Sequence, residues 1–303
     1  MNFEFTFTNR LAFYWSYFLS KTILLWFEVK KPKFAMFVHE MRYSLNKFID
    51  NRSMAGSPFA TEYVETCSGK FNIRPHSTDM SIISPAYERR DTLYLTRLLH
   101  RLISLDRKIL VLDIGAHVGA FSVMTGNSFR DYKNLHIMAF EPALQEFQLL
   151  EKNIACNHLS EKVETCNVFL SSIDGRKLSQ HFYGETAEEV SVGPSSTCKG
   201  NDEVTHTLDS LLGDRIQNFD SIVMKIDTEG AETTILKGGI KLLKSGADIY
   251  LLVEDFINPE IVTFLEQLGA TFVTKRTPYN SWWQLKRKTL HSVTQPLNIS
   301  CSF

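Results

Sequence analysis

Chemistry-bearing side chains in this 303-residue sequence gather at three places. The first is Asp113-Ile-Gly-Ala-His-Val-Gly119, a carboxylate followed by two spaced glycines. Glycines let a backbone approach a ligand closely, and the helix that follows offers free N–H groups. A dinucleotide fingerprint would read Gly-x-Gly-x-x-Gly, with a middle glycine to hold the pyrophosphate. This turn lacks that glycine, which fits a cofactor carrying an amino acid and a ribose but no phosphate. The second place is Glu141 in Met138-Ala-Phe-Glu-Pro142, where a carboxylate can accept hydrogen bonds from both ribose hydroxyls. Its plain alternative is an ordinary acid ahead of a helix that begins with proline. The third is Lys225-Ile-Asp-Thr-Glu-Gly-Ala-Glu232, three carboxylates and one lysine in a short span. A carboxylate there can serve as general base toward a hydroxyl, with Asp227 the first choice, Glu229 the second and His117 the third. His117 equally suits the cofactor's amino-acid end, or a structural place in the turn. Glu232 and Lys225 can simply pair with each other. Glu254-Asp255 repeats the acidic pattern farther on. In Ser171-Ser-Ile-Asp-Gly175 a backbone amide or Ser172 can meet an adenine ring, while Asp174-Gly175 is equally a plain turn.

These residues need strand ends to hold them. Ile109–Asp113 is a short apolar run that reads as a strand buried on both faces of a parallel sheet. Further strands are expected at His136–Glu141, Val163–Val168, Ser221–Ile226 and Ile249–Glu254. A closing hairpin is expected from Phe272–Thr274 and Trp282–Lys286. Helices are expected at Arg89–Ile103, Ala120–Phe129, Ala143–Asn157, Glu232–Leu243 and Pro259–Leu268. Alternating strands and helices imply a doubly wound α/β sheet with right-handed crossovers. Tyr63–Thr66 and Gly69–Arg74 read as a small hairpin, and Asp79–Ile83 as a brief strand or turn. Ser179–Thr207 is long and polar for an α/β connection, as lids and substrate contacts are.

Residues 1–58 form a separate helical extension rich in aromatic residues, with the linker at Asn51–Pro58, and residues 59–303 form the main domain. The apolar runs around Trp15 and Trp26 are too short to span a bilayer, and no small-residue cleavage site follows them. The segment reads as a helix packed on the domain, or as an interfacial helix in which residues 1–33 make a peripheral membrane contact. A formal net charge of -1 gives no field that argues for a nucleic-acid partner. Five cysteines without Cys-x-x-Cys spacing read as reduced thiols of a cytoplasmic protein and give no zinc site. The acids suit Mg²⁺ as an alternative, but no metal is assigned.

From Gly69 onward the sequence resembles the S-adenosylmethionine-dependent methyltransferases of the FkbM type. The resemblance rests on Phe71-Asn-Ile-Arg-Pro75, Ser77-Thr-Asp79, Val111-Leu-Asp-Ile-Gly-Ala-His-Val-Gly119 and Ala139-Phe-Glu-Pro142. Its most specific stretch is Lys225-Ile-Asp-Thr-Glu-Gly-Ala-Glu-x-x-Ile-Leu-Lys-Gly238, with Thr207-Leu-Asp-Ser-Leu211 upstream. It implies a class I methyltransferase (Rossmann-like) fold whose seven-stranded sheet ends in an antiparallel hairpin. It also implies O-methylation of a hydroxyl on a carbohydrate, glycolipid or natural-product acceptor. S-Adenosylmethionine would then lie against Asp113, Gly115, Ala116, His117, Gly119, Glu141, Pro142 and Ser172. The alternatives are a nicotinamide-dependent oxidoreductase on the same fold and a non-catalytic, membrane-associated protein that retains it.

Overall fold

The computed structural model describes residues 63–74, 79–83, 87–177, 204–255, 260–277 and 279–286. The N-terminal extension, its linker and most of the Ser179–Thr207 loop lie outside the described residues. The chain begins with a hairpin, β1 (Tyr63–Thr66) and β2 (Gly69–Asn72), then α1 (Asp79–Ile82) and α2 (Arg89–Ser104). Next come β3 (Ile109–Ile114), α3 (Ala120–Ser128), β4 (Leu135–Phe140), α4 (Leu144–Cys156), β5 (Val163–Cys166) and β6 (Phe169–Leu170). There follow β7 (Thr205–His206), α5 (Leu208–Leu212), a 3-10 turn (Gly213–Asn218), β8 (Ser221–Ile226), α6 (Glu232–Lys237) and α7 (Ile240–Leu243). The last elements are β9 (Asp248–Glu254), α8 (Glu260–Gln267), β10 (Thr271–Lys275) and β11 (Asn280–Leu285).

Seven strands form one sheet in the order β10-β11-β9-β8-β3-β4-β5. β11 runs antiparallel to both neighbours, and the remaining pairs are parallel. Every residue of β3 and β8 is buried, because helices cover both faces of a central parallel strand. Ile109, Val111 and Val223 pack with Leu95 and Leu99 of α2 and Phe147 and Leu150 of α4. Leu110, Leu112 and Met224 pack on the other face with Leu236, Leu242 and Leu265. The chain winds outward from β3 through β4 to β5, then returns to lay β8 on the opposite side of β3. That reversal opens a crevice at the carboxyl ends of β3 and β8, where ligands bind in open α/β sheets. No helix among the described residues is long and apolar enough to cross a membrane.

Three expectations are corrected. Asp79–Ile82 is a helix rather than a strand or turn. The Arg74 N–H and guanidinium donate to the Asp79 carboxylate while Ile83 N–H closes on the Asp79 carbonyl, and an acid at a helix start is favourable. The helix expected over Glu232–Leu243 breaks at Gly238-Gly239 into α6 and α7. A Cβ on Gly238 would collide with the Ser171 carbonyl oxygen, and Asp209 caps the new helix through the Lys241 and Leu242 N–H groups. Cys166 is disulfide-bonded, whereas Cys67 and Cys156 are free thiols, so not every cysteine is reduced as expected.

The β1–β2 hairpin is held by side chains of α4 acting as a surrogate strand. The Asn157 carboxamide accepts from Lys70 N–H at 2.9 Å and donates to the Lys70 carbonyl at 2.7 Å. One turn earlier, Asn153 accepts from Asn72 N–H and donates to the Asn72 carbonyl and to Val118 O at 2.8 Å. Asn153 is fully buried. It therefore ties the hairpin to the glycine turn after β3. Asn153→Ala leaves three backbone groups without partners and should cost about 2–4 kcal/mol of stability in urea unfolding. A loss under roughly 0.5 kcal/mol would show that water replaces the carboxamide at no cost.

Candidate active site at the switch point

The turn after β3 is fixed by its backbone. Gly115 has φ +80, and a Cβ there would run into the Asp227 carbonyl oxygen, so no other residue fits. Gly115 and Ala116 both donate N–H to the Phe140 carbonyl. Gly119 has φ +82 and lies against Leu150. Between them His117 also adopts a left-handed backbone, φ 51. Of the five non-glycine residues with positive φ among the described residues, His117, Glu229 and Glu88 are at this crevice. Such strain collects where surrounding structure enforces it, at functional sites above all.

Glu141 follows β4 and is buried. Its Oε2 accepts from His117 N–H at 2.8 Å and its Oε1 from Ala143 N–H at 2.9 Å. Each oxygen keeps a second lone pair. Burial pushes the carboxyl up to about 7, against the two backbone donors that favour the charged form. Sequence reasoning missed Asn167, fully buried after β5, which donates to the Glu141 and Pro142 carbonyls at 2.8 and 2.9 Å. A single asparagine between apolar residues gave no signal. Ser172 is half-buried. Asp174 beside it accepts from Thr207 and Ser210, which makes Asp174-Gly175 the anchored turn of that segment.

At the end of β8, Lys225 is buried and donates to Asp227 Oδ2 at 2.8 Å. Burial works against the ammonium, but Asp227, Glu88 and Asp113 outweigh it and drive its proton affinity above the ordinary lysine range. Lys225 thus pairs with Asp227, not Glu232. Glu232 is fully buried and its Oε1 accepts from Thr228 N–H, Thr228 Oγ1 and Gly230 N–H, all at 3.0 Å, so it shapes the loop carrying Asp227. Glu229 is exposed, and partial desolvation followed by Asp227 and Glu232 raises its carboxyl. Asp113 accepts from Ser122 Oγ at 2.6 Å through Oδ2, while its Oδ1 is buried without a partner.

The His117 ring is engaged by Arg74 and Asp79. Its Nε2 lies 3.1 Å from Arg74 Nη2 and 3.8 Å from Asp79 Oδ1. Burial lowers its proton affinity, Asp79 opposes and Arg74 assists, so the ring is neutral with Nε2 accepting from Arg74. Arg74 itself is held by Asp79 and Glu146.

Sequence reasoning also missed Glu88, which precedes α2. It accepts from Asn280 Nδ2 at 2.7 Å, and burial, then the opposing Lys225 and the like-charged Asp227 and Asp91, leave it at about 7. Its place is set by Asp91, which accepts from Trp282 Nε1 at 2.8 Å and so pins α2 to β11. Among the described residues, no group of three or more His, Cys, Asp or Glu side chains is arranged to hold a metal ion.

The methyltransferase FkbM domain matches residues 113–272, more than half the chain, and the chain belongs to that family. It is therefore placed among the S-adenosylmethionine-dependent methyltransferases, with S-adenosylmethionine as cofactor. No curated protein matches the chain significantly. Among solved structures, the N-terminal domain of human METTL16 in complex with SAH is similar at 12% identity, covering 79% of this chain and 94% of that one, TM-score 0.40. Precorrin-6y C5,15-methyltransferase from Geobacter metallireducens GS-15 is similar at 18% identity, covering 58% of this chain and 77% of that one, TM-score 0.34. Likeness this distant says nothing about the acceptor. The crevice suits the cofactor on its own terms: a glycine turn that admits no side chain at Gly115, spare lone pairs on Glu141 and an unpartnered Asp113 oxygen.

Two outcomes follow from this geometry. A ribose seated on the Glu141 carboxylate predicts that S-adenosylhomocysteine affinity rises with pH toward about 7 and levels off above it. Glu141→Gln should weaken binding roughly 10-fold or more and flatten that profile in calorimetry. An unchanged affinity would remove Glu141 from the ribose site. Lys225→Met strands buried carboxylates and should cost about 3–5 kcal/mol at neutral pH, less in acid where they protonate. Equal stability at both pH values would contradict the charge balance described.

Proposed function

We propose that this protein is an O-methyltransferase acting on a hydroxyl of a carbohydrate, glycolipid or natural-product acceptor. The observation that carries the reading is Asp227, which follows β8 with a partly exposed carboxylate and whose backbone carbonyl meets the glycine turn. Lys225 holds Oδ2, and Oδ1 has no partner among the described residues and is available to a hydroxyl. Bound at the turn, S-adenosylmethionine supplies an electrophilic methyl group. Asp227 then takes the acceptor proton, and Lys225 fixes the direction from which it does so. Glu229, exposed and beside it, is the second candidate for that proton. His117 serves the cofactor's side instead, because its basic nitrogen already faces Arg74. The sequence Ile226-Asp-Thr-Glu229 also lacks the Asn-Pro-Pro-Tyr-like residues that amine methylation tends to use at this place.

Glu141 takes the ribose, Asp113, Gly115, Ala116 and Gly119 shape the cofactor's amino-acid end, and Pro142 and Ser172 border its base. Mass spectrometry of glycans, lipids and metabolites from cells with and without the protein should reveal one methyl ether that depends on it. Asp227→Asn should abolish that product, lowering transfer by roughly 100-fold or more, while S-adenosylhomocysteine binding stays within about threefold. A methyl group found on nitrogen, or full product with Asp227→Asn, would contradict the proposal.

A further inference from the structure

One more carboxylate, Glu254, stands at this end of the sheet. It ends β9, next to β8 through the Ile226–Val253 pair, and lies opposite Asn280 of β11. Its Oε2 is buried without a hydrogen-bond partner. Carboxylates surround it from three other parts of the fold. Asp227 and Glu229 face it from the loop after β8, Glu232 from α6 and Glu88 from the start of α2. The cations nearby are already committed: Lys225 to Asp227, and Lys275 of β10 to Asp255. Burial first, and then these four carboxylates, push the Glu254 carboxyl up to about 8.

Two fully buried acids share this condition, one in β3 and one at the start of α6. Asp113 and Glu232 each carry one buried oxygen without a partner. With Glu254 they account for all the buried, unpartnered carboxylate oxygens among the described residues. Buried Asp91 makes the contrast: it accepts from Trp282, Asn280 and Thr277. Unsatisfied acceptors with an excess of negative charge are complementary to a cation and not to a neutral group. The family's methyl donor is a sulfonium cation, whereas the thioether left after transfer is neutral.

We propose that Glu254 makes the crevice discriminate the charged methyl donor from its neutral product, by losing a proton when the cation is bound and regaining it when only the thioether remains. The bond that breaks is the carboxyl O–H, and its proton goes to solvent. Ionised Glu254 attracts the sulfonium, and protonated Glu254 relieves the crowd of acids once the charge has left, which favours product release. The inference rests on the cofactor seating at the glycine turn and is independent of the acceptor's identity. The sign is fixed by the raised carboxyl. Donor affinity rises with pH until about 8 and levels off above it, beyond any change shared with the product through Glu141.

The test is calorimetry of the full chain with S-adenosylmethionine and S-adenosylhomocysteine, in buffers of different ionisation enthalpy near pH 7. Wild type should release close to one more proton with the sulfonium than with the thioether. Glu254→Gln should lose that excess and about tenfold of the preference for the sulfonium over the thioether, with thioether affinity unchanged. Equal release with both ligands in the wild type overturns the proposal and needs no variant that folds. An excess that survives in Glu254→Gln and disappears in Glu88→Gln overturns it too. A wild type that binds neither compound would overturn the cofactor seating along with it, which separates the two failures.

Discussion

One buried ammonium governs the architecture of this site. Lys225 comes off the middle of the sheet into a neighbourhood of Asp113, Asp227 and Glu88, and bonds Asp227 directly. Carboxylates at a parallel sheet's edge cannot sit this close without an offsetting charge, because each loses its hydration on burial. The surrounding contacts distribute that balance through the fold. Ser122 anchors Asp113 from α3, and Asn280 anchors Glu88 from β11. Asp91 holds α2 to the sheet through Trp282, whose ring also packs on Tyr94 at 4.6 Å between centroids. The last antiparallel strand, β11, thus helps to position the acids around Lys225.

A backbone constraint works beside the charge. The Asp227 carbonyl occupies the space a side chain at position 115 would need, so the two loops meet backbone to backbone. Asp227 N–H donates to the Ile114 carbonyl at 3.1 Å and closes the same seam. Glu141 fixes the other border by gripping His117 N–H, and Asn153 holds Val118 from behind. The glycine turn is therefore tied to β4, α4 and β8 together. Preorganisation of this kind lets the site meet a ligand with little rearrangement.

The sheet was legible because buried parallel strands leave short apolar runs, and all seven strands were expected close to their observed bounds. The positions of Glu141, Asp227 and the glycine turn at the ends of β4, β8 and β3 were legible because strand ends and turns carry recognisable residue types. What the sequence hid depends on distance in space. Glu88 reads as one more acid before a helix, and only folding brings it to Lys225, far along the chain. Asn153, Asn157 and Asn167 look like surface amides, yet each completes the hydrogen bonding of backbone elsewhere. The helix break at Gly238 comes from a contact with Ser171 that no local pattern encodes. Lys225's choice of Asp227 over Glu232 is likewise a matter of geometry, since Glu232 is consumed by the loop it caps.

In the crevice between β3 and β8, the proposed site seats a ribose on Glu141 and the reacting end of the cofactor beside Asp227. A crystal structure of the protein with S-adenosylhomocysteine tests it most directly. Ribose hydroxyls within hydrogen-bond distance of Glu141, with the sulfur turned toward Asp227 and Lys225, is the result expected. A nucleoside bound elsewhere, or one whose ribose leaves Glu141 bonded only to His117 and Ala143, would contradict it.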